Sequence, residues 1–388
     1  MFYADTDMIS ATSCILHSML TDPESVDVAI VGAGIIGVAT AAYLAAGGAR
    51  VTVFERDQVA SGASGRNLGT ILDPMNSALS PLHAPSLAGY RELAGALPDL
   101  FALPAAPVGL LMLDPDEAKM RTLVEQVSSD YPELEPRVVD ASAIEPAVAS
   151  GLSGCLLNTA YPAEPASATA AFAELARRSG ATVRVGAPAS VIFRDGRAIG
   201  VDVGGEEVRA GTVLVAAGPW SPGLVRPDGS WRPITPLWGV TAQIELDGDA
   251  PRHALSEAFP EDEEAARGMF TLTTARSATG RYATALGSTF NVSEPDPKDH
   301  IAAMIDHGAR FVPGLASARV LATRTCARPV SRDGLPLLGP VPGVEGLHIA
   351  SGHGAWGISL GPATARMAAD ALLGSSDVPD LYAAARFR

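Results

Sequence analysis

Cysteine, aromatic residues and charged residues are all scarce in this chain of 388 residues. Its three cysteines, Cys14, Cys155 and Cys326, are too few and too widely spaced for a disulfide framework or a cysteine metal site. A reducing cytoplasm is therefore the expected location. No apolar run is long enough to span a bilayer as a helix. Residues 1–25 lack the basic start and the apolar core of a signal peptide, so we interpret them as an N-terminal extension.

Basic residues are outnumbered by acidic ones. The chain has 28 Lys and Arg residues against 43 Asp and Glu residues, which gives a net charge of -15 at pH 7. Nucleic acids and anionic membranes are themselves negatively charged, so this charge disfavours both as partners. An anionic substrate would need a local cationic pocket. Hydrophobic residues still form 47% of the chain, which predicts a globular protein with a large core.

The most informative motif lies near the start of this globular part. An apolar strand, Asp27–Val31, runs directly into Gly32, Gly34 and Gly37, and a helix of small residues follows. A second apolar strand ends at Glu55. Together these elements indicate a dinucleotide-binding βαβ unit, in which the glycines allow a tight turn, close approach of a pyrophosphate and close packing of the helix. The acidic residue can accept hydrogen bonds from ribose hydroxyls, which argues against NADP.

Periodicity and turn residues predict the elements that follow. Helices are predicted at residues 86–101, 115–127, 165–179, 297–311 and 361–373. Strands are predicted at residues 109–113, 182–185, 189–193, 198–203, 208–218 and 345–351, and residues 236–324 are mostly strand-like. Asp114 is the expected N-cap of the second helix, and Asp195-Gly196 is a hairpin turn signal.

Five segments in order carry a family pattern. They are the βαβ unit ending in Phe54-Glu55-Arg56, residues 60–69 (ASGASGRNLG), residues 213–221 (VLVAAGPWS), residues 328–339 (RPVSRDGLPLLG) and residues 352–362 (GHGAWGISLGP). With them the chain resembles the D-amino-acid oxidase, glycine oxidase and sarcosine oxidase superfamily of FAD enzymes over most of residues 26–375. Five such segments in the family's own order are far more specific than a single glycine motif.

The resemblance and the interleaved elements imply the fold. We predict an α/β protein in which a Rossmann-type FAD-binding domain is interleaved with an α+β substrate domain that caps the flavin, the glutathione-reductase-like FAD fold. The FAD-binding domain is predicted to comprise residues 26–82, 141–225 and 325–388. Residues 83–140 and 226–324 are assigned to the substrate domain.

The resemblance also implies a set of cofactor-binding residues. They are Gly32, Gly34, Ile35, Ile36, Gly37, Glu55, Arg56, Ser61, Ser64, Arg66, Asn67, Leu68, Ala189, Ala217, Gly218, Trp220, Cys326, Gly352, His353, Gly354, Gly357 and Ile358. Near Gly357 and Ile358, backbone N–H groups at a helix start would face the flavin pyrimidine, where reduction builds negative charge. Asn67 is equally compatible with a simple turn, and Ala189 with an ordinary strand position.

Three residues are the catalytic candidates. In glycine and D-amino-acid oxidases the arginine of this Arg-Pro element clamps the substrate carboxylate, and the resemblance carries that role to Arg328. A structural arginine is the alternative. The period of a strand places Arg324 on the same face, either as a second cation or as an exposed ion-pair partner. Trp356 departs from the polar residue of many relatives and either walls the pocket or belongs to the core.

Cys326 is the odd residue of this strand. The sarcosine oxidase branch joins a cysteine at the matching distance before Asp333 to the flavin 8α-methyl group, so the resemblance raises a covalent thioether at Cys326. A small buried cysteine is the alternative. His353, by contrast, has no carboxylate partner visible in the sequence and is not an obvious general base.

A second departure concerns the capping sheet. Glycine and D-amino-acid oxidases use a tyrosine there as a second carboxylate ligand, but residues 268–274 (GMFTLTT) contain none, and Tyr282 cannot be assumed to replace it. This puts simple glycine in doubt and leaves room for a bulkier amine or amino acid. Trp238 and Asn76 are weaker pocket candidates.

The resemblance implies oxidation of a C–N bond in an amine or amino acid. Hydride passes to flavin N5, an imine forms, and reoxidation by molecular oxygen gives hydrogen peroxide. No metal is expected. A dehydrogenase that uses a quinone or carrier, or one that takes a 2-hydroxy acid, stays open, as does an FAD-binding subunit without turnover. Such a subunit would have no need of Arg328. The sequence leaves the substrate, its stereochemistry and the oligomeric state open.

Overall fold

The computed structural model describes residues 25–259 and 268–387. The N-terminal extension predicted for residues 1–25 therefore lies outside the described residues, apart from its last residue. Within the described ranges, no helix has both the length and the apolar composition that crossing a bilayer requires.

Strands and helices alternate over the first half of the chain, and strands predominate in the second. The described strands are, in chain order, β1 (Val26–Val31), β2 (Val51–Phe54), β3 (Thr70–Ile71), β4 (Leu110–Asp114), β5 (Arg137–Asp140), β6 (Ser153–Leu157), β7 (Tyr161–Pro162), β8 (Thr182–Arg184), β9 (Ala189–Arg194), β10 (Arg197–Val203), β11 (Glu206–Val215), β12 (Ile234–Glu245), β13 (Ala254–Glu257), β14 (Gly268–Arg276), β15 (Tyr282–Thr289), β16 (Arg319–Ser331), β17 (Leu337–Pro340) and β18 (Leu347–Ser351). The described α-helices are α1 (Ile35–Ala46), α2 (Ala63–Arg66), α3 (His83–Ala96), α4 (Glu117–Asp130), α5 (Ala141–Ile144), α6 (Pro165–Arg178), α7 (Ser221–Val225), α8 (Lys298–Ala309) and α9 (Gly357–Leu372).

The first sheet is mainly parallel and has the order β17-β18-β11-β1-β2-β8. β1 pairs in parallel with β2 and β11, β2 with β8, and β11 with β18, while β17 joins antiparallel. The N-terminal end of β11 continues into an antiparallel ribbon with β10 and β9. Apolar clusters lie on both faces of this sheet, which explains why β1 and β2 read as continuous apolar runs. The predicted Rossmann-type sheet is confirmed.

A helical layer covers one face of the first sheet. α1 packs against α6 and α9, and α3 packs against α9 and α6. Small residues line α1 and are buried on almost every side, so neighbouring helices can approach it closely. Tyr43, Tyr90 and Phe172 form the aromatic part of this core, with ring centroids 6.0–6.1 Å apart in edge-to-face contacts.

The last helix begins earlier than predicted. Residues 361–373 were expected, but α9 starts at Gly357 and holds Pro362 in its interior. A proline there cannot donate to the carbonyl four residues earlier. The hydroxyl of Tyr90 on α3 donates to that carbonyl, Ile358 O, at 2.7 Å, and Ser86 accepts the next N–H, that of Ala363, at 3.1 Å. Two side chains of α3 thus replace the hydrogen bonds that the proline disturbs.

The prediction that Asp114 caps the helix after β4 is wrong. Asp116 is the N-cap of α4, because its carboxylate accepts the N–H groups of Ala118 and Lys119. Asp114 instead accepts the N–H of Asp116 at 2.7 Å and so shapes the turn before the helix.

The second sheet has the order β16-β12-β15-β14-β13-β4-β6-β5. Its neighbours are antiparallel except β13 and β4. α8 covers one face, where Phe270 of β14 stacks on Phe311 with ring centroids 4.8 Å apart. The opposite face is turned towards the first sheet and walls a cavity that both sheets line.

Buried carboxylates tie loops to this second sheet. Glu145 accepts the backbone N–H groups of Arg252 and His253 at 2.8 and 3.1 Å, and its Oε2 lies 2.9 Å from His253 Nδ1. Burial alone raises the pKa of Glu145, but these hydrogen bonds outweigh burial and hold the pKa below its usual value. Glu257 accepts the N–H of Phe270 and contacts His307 Nε2 at 2.9 Å, which ties α8 to the sheet.

Pairing of strands differs in places from the predicted domain boundaries. β6 lies after the boundary at residue 141 but pairs with β4 and β5 of the second sheet. β16 crosses the boundary at residue 325 as one continuous strand. α3 lies in a segment assigned to the substrate domain, yet it belongs to the helical layer of the first sheet. The division into two interleaved domains stays a prediction, with these three elements reassigned by their contacts.

Candidate active site

A cavity of about 720 Å³ lies between the two sheets. This volume is within the range of cofactor and small-molecule sites. The β1–α1 turn, residues 61–70 and the end of β11 form one wall, and strands of the second sheet form the other. The start of α9 closes the cavity between them.

The β1–α1 turn carries the first two motif glycines. Gly32 has a φ of +111°, and a Cβ there would lie 2.5 Å from Ala216 O on β11. Gly34 faces residue Ser64, whose Oγ accepts the N–H of Ile35 at 3.0 Å. The first N–H groups of α1 have no partners within the helix, so this end of the cavity offers donors and a positive helix terminus to a phosphate. Gly37 does not line the cavity; it lies against the Gly32 carbonyl and allows the close helix packing that the motif predicts.

Glu55 is held in place beside this turn. Its Oε2 accepts the N–H of Ala33 at 2.8 Å and its Oε1 accepts the N–H of Asp57 at 2.9 Å. Fixed in this way at the end of β2, the carboxylate keeps lone pairs for the hydroxyls of a ribose. Arg56 stacks over the Trp220 ring at 4.5 Å, and both residues line the same end of the cavity.

The start of α9 forms the opposite end. Gly357, Ile358 and Ser359 of its first turn line the cavity, and a short 3-10 turn over Gly354–Trp356 leads into the helix. This arrangement points the positive end of a helix dipole into the cavity. Trp356 lines the cavity and also packs against the helical core, so both of its predicted environments are present.

His353 precedes this turn and is 2% exposed. Its Nε2 lies 2.9 Å from Thr364 Oγ1, whose own hydroxyl is close to the carbonyls of Leu360 and Gly361. Burial lowers the pKa of His353 to about 4. The imidazole is therefore neutral over the ordinary pH range, and its environment is not that of a base tuned to neutral pH.

Arg328 on β16 is a cation without an anionic partner on the cavity wall. Its Nη1 donates to Thr289 O at 2.9 Å, and its guanidinium lies 4.7 Å from the centroid of the Phe290 ring. Among the described residues it forms no ion pair. Burial lowers its pKa, although an arginine still carries its charge at neutral pH. The position of the guanidinium depends on Gly239 of β12, because a Cβ there would lie 2.6 Å from its Cζ.

Cys326 lies two residues before Arg328 and also lines the cavity. It is 5% exposed. Burial raises the pKa of its thiol, and the nearby arginines, Arg328 first among them, only partly offset this effect. The thiol thus faces the cavity in its neutral form. The covalent bond between Cys326 and the flavin stays a prediction.

Most of the predicted site residues are brought together in the cavity. Those that line it are Gly32, Gly34, Ile35, Ile36, Glu55, Arg56, Ser61, Ser64, Asn67, Leu68, Ala189, Ala217, Gly218, Trp220, Cys326, Arg328, His353, Gly354, Trp356, Gly357 and Ile358. Asn67 also stabilises its own turn, because its side chain accepts the N–H of Gly69 and donates to the carbonyls of α2. The individual roles of these residues in binding stay predictions.

Other candidates lie outside the cavity lining. The exposed Arg66 donates to the Thr325 carbonyl at 3.2 Å. Arg324 is partly buried, forms no ion pair among the described residues and has an Nε without a partner, so it is not an exposed ion-pair partner, and its role as a second cation stays a prediction. Gly352 has a φ of +84° and turns the chain after β18. Trp238 and Asn76 do not line the cavity either.

The wall formed by the second sheet was largely missed by the sequence interpretation. Its cavity-lining residues include Leu110, Met112, Thr241, Ser256, Met269, Thr271 and Phe290. The sequence shows that β14 lacks a tyrosine, but it does not indicate which residue faces the cavity in its place. Tyr282, on the neighbouring strand, is 71% exposed and lies outside the lining.

Comparison with known proteins agrees with this geometry. Residues 27–371 match the DAO family model, which is described as FAD dependent oxidoreductase. The chain belongs to this family. A glycine oxidase of Pseudomonas aeruginosa is 30% identical over 374 residues, covering 91% of this chain and 96% of that protein. The predicted superfamily is thus confirmed.

Solved structures support the fold. Glycine oxidase from Geobacillus kaustophilus has a TM-score of 0.77 at 26% identity, covering 92% of this chain and 97% of that chain. Iminodiacetate oxidase from Chelativorans sp. BNC1 has a TM-score of 0.77 at 24% identity, with coverage of 92% and 98%, and at that identity it supports the fold alone. The protein is an FAD-dependent oxidoreductase of the DAO family.

Proposed function

We propose that this protein oxidises the C–N bond of an amino acid and that Arg328 binds the substrate carboxylate. The observation that carries the proposal is the guanidinium of Arg328, which faces the cavity without an ion-pair partner among the described residues. A partly buried cation is stabilised by an anion that matches its forked geometry, and a carboxylate is such an anion. Similarity to a glycine oxidase over 91% of the chain supports a substrate of this class.

The residues of the first wall fit FAD. The turn at Gly32 and Gly34, with the N-terminal end of α1, suits a pyrophosphate, and the fixed carboxylate of Glu55 suits a ribose. The start of α9 would hold the electron-accepting end by its dipole. When bound, FAD supplies a two-electron acceptor for the substrate.

The chain's own contribution to the reaction is position and exclusion of water. Arg328 would orient the amino acid against the acceptor, and the apolar second-sheet wall would keep water away. His353 is the cavity-lining imidazole among the described residues, and with a pKa of about 4 it is a weak base at best. We therefore expect the substrate to react as its neutral amine, with the proton lost to solvent before or during binding.

Molecular oxygen is the acceptor that we propose for the second half of the reaction. The similarity to glycine oxidases supports an oxidase, whereas a dehydrogenase would need a carrier. A thioether between Cys326 and FAD and a cytoplasmic location stay predictions.

One experiment tests the proposal. The purified yellow protein is mixed with single amino acids, and both hydrogen peroxide and reduction of an artificial dye are measured for the wild type, Arg328→Met and Arg332→Met. Arg332 is exposed and makes a suitable matched control. We expect peroxide formation, a KM raised at least about 100-fold by Arg328→Met from loss of a charge-assisted pair, and unchanged flavin content. Unchanged KM in Arg328→Met would refute the assignment, and dye reduction without peroxide would identify a dehydrogenase.

A further inference from the structure

The second-sheet wall of the cavity changes in character from one edge to the other. Strand pairing places Thr241, Gly287, Thr271, Ser256 and Met112 in one row across β12, β15, β14, β13 and β4. Neighbouring strands are about 4.8 Å apart, so this row spans roughly 19 Å. We call it the substrate row.

The substrate row faces the cavity and not the core behind the sheet. Leu111 and Leu113, the neighbours of Met112, belong to the apolar cluster under α8. Phe270 and Leu272, the neighbours of Thr271, belong to the same cluster. Because side chains alternate between the faces of a strand, Met112 and Thr271 must lie on the cavity face, where both contribute to the lining.

Positive charge is confined to one end of this wall. Arg328 leans over Gly239 of β12 and contacts the Thr289 carbonyl on β15, close to the start of the row. The other arginines of this region, Arg324 and Arg66, do not line the cavity. Glu257 lines it, but its carboxylate already accepts the Phe270 N–H and pairs with His307. The wall can therefore neutralise one carboxylate, and a second one would be buried without a counter-ion.

The hydrogen-bonding capacity of the row also ends early. Thr271 is 9% exposed and its hydroxyl has no partner. That hydroxyl is buried beside Gly287, where a Cβ would lie 3.1 Å from it, so it is shielded from a ligand in the cavity. Ser256, one strand further, already donates to the Glu257 carbonyl. Polar groups of a substrate are thus best satisfied near Arg328.

Beyond Ser256 and Glu257 of β13 the wall is apolar. Met112 and Leu110 of β4 line the cavity there, and Leu72 and Met75 join them from the segment after β3. Methionine side chains are unbranched and adapt their shape. Such a wall therefore selects a substrate by the length and hydrophobicity of its side chain more than by its exact shape.

From this gradient we infer that the cavity selects an amino acid with a single carboxylate and an extended, uncharged side chain. The α-carboxylate contacts Arg328, and the side chain follows the substrate row past Thr271 towards Met112. Glycine leaves the apolar part of this wall uncovered, and a dicarboxylic amino acid places its second charge there. This inference rests on the proposed function, because it takes the Arg328 contact as its fixed point.

Binding of unreactive carboxylates to the wild-type holoenzyme tests the inference without relying on turnover. The change in flavin absorbance is titrated with acetate, butanoate and hexanoate, and with adipate, which adds a second carboxylate to the hexanoate chain. We expect the Kd to fall about fourfold for each added methylene that the wall covers. Adipate should bind at least about tenfold more weakly than hexanoate, because its second charge is buried unpaired.

A pair of variants locates the effect on the wall. Met112→Ser should raise the Kd of decanoate several-fold and leave that of acetate unchanged, since only the longer chain extends from Arg328 across the strands to β4. Val292→Ser, at a site that is 90% exposed, is the matched control and should change neither. Equal weakening of acetate and decanoate by Met112→Ser would contradict the proposed direction of the side chain.

The outcomes separate this inference from the proposed function. Binding of all carboxylates with no dependence on chain length, or adipate binding as tightly as hexanoate, overturns the inference and leaves Arg328 as the clamp. Binding of no carboxylate by the wild type overturns the proposed role of Arg328 and the inference with it.

Discussion

The position of the Arg328 guanidinium depends on a residue without a side chain, and this dependence gives a sharp prediction. In Gly239→Ala the new Cβ would lie 2.6 Å from Arg328 Cζ and closer still to both terminal nitrogens. Carbon atoms in contact need about 3.5–4.0 Å, so the guanidinium must move by roughly 1 Å. The atoms displaced are the far end of a flexible side chain, so we expect the fold to survive.

The displacement should appear as weaker binding of carboxylates. A shift of this size breaks the 2.9 Å contact with Thr289 O and misaligns the fork that a carboxylate would meet. A hydrogen bond to a charged group is worth about 1.5–3 kcal/mol. At about 1.4 kcal/mol per factor of ten, the KM for an amino acid and the Kd for acetate should both rise about 10- to 150-fold.

Steady-state kinetics and acetate titration measure this effect. Gly268→Ala is the matched control, because Gly268 lies in β14 of the same sheet and a Cβ there meets nothing within 4 Å. The turnover of an amine that lacks the carboxylate should be unchanged in Gly239→Ala, since it makes no use of the guanidinium. An unchanged Kd for acetate in Gly239→Ala, or an equal loss with the plain amine, would refute the reasoning.

Three further predictions concern the folded state and the cofactor. Tyr90→Phe leaves Ile358 O buried without its donor, so we expect a loss of about 1–3 kcal/mol in unfolding free energy and weaker FAD binding by calorimetry. Tyr282→Phe, at an exposed site, is the control and should change neither the stability nor the FAD affinity. A wild-type melting curve in Tyr90→Phe would contradict the prediction. The pKa of Glu145 is lowered in the folded state, so the stability that its carboxylate contributes is complete above its usual pKa of 4.5 and is lost as the pH falls through the lower folded value. Thermal melts of Glu145→Gln should lack this part of the acid dependence. Parallel curves of melting temperature against pH for the wild type and Glu145→Gln would exclude this contribution. If the thioether forms, acid precipitation should leave flavin in the pellet of the wild type but not in that of Cys326→Ser. Release of flavin from both proteins would contradict the thioether.

Local signals were sufficient for the first half of the fold. The βαβ unit was predictable because its strand, glycine turn and helix are contiguous, and each requires only its own residues. The turn at Asp195 and Gly196 was predictable for the same reason: both residues adopt positive φ between β9 and β10, as the hairpin signal indicates. The cofactor wall of the site consists mostly of such contiguous segments.

Signals that depend on distant partners were not sufficient. Pro362 looks like a helix start in the sequence, and it is tolerated inside α9 only because Tyr90 and Ser86 come from another helix. Asp114 and Asp116 compete as caps within one turn, and composition alone does not decide between them. The substrate row was not predictable, since it is assembled across five strands whose register no local pattern contains.

The link between α3 and α9 has a consequence for recombining this protein with its relatives. α3 directly precedes a long segment of the second sheet, so an exchange of substrate domains would most naturally cut the chain before His83. Such a graft would bring in a foreign helix opposite Pro362 and remove the donor to the first turn of α9. A crossover placed after Ala96 keeps both helices from one parent, and chimeras cut there should retain flavin where those cut earlier lose it.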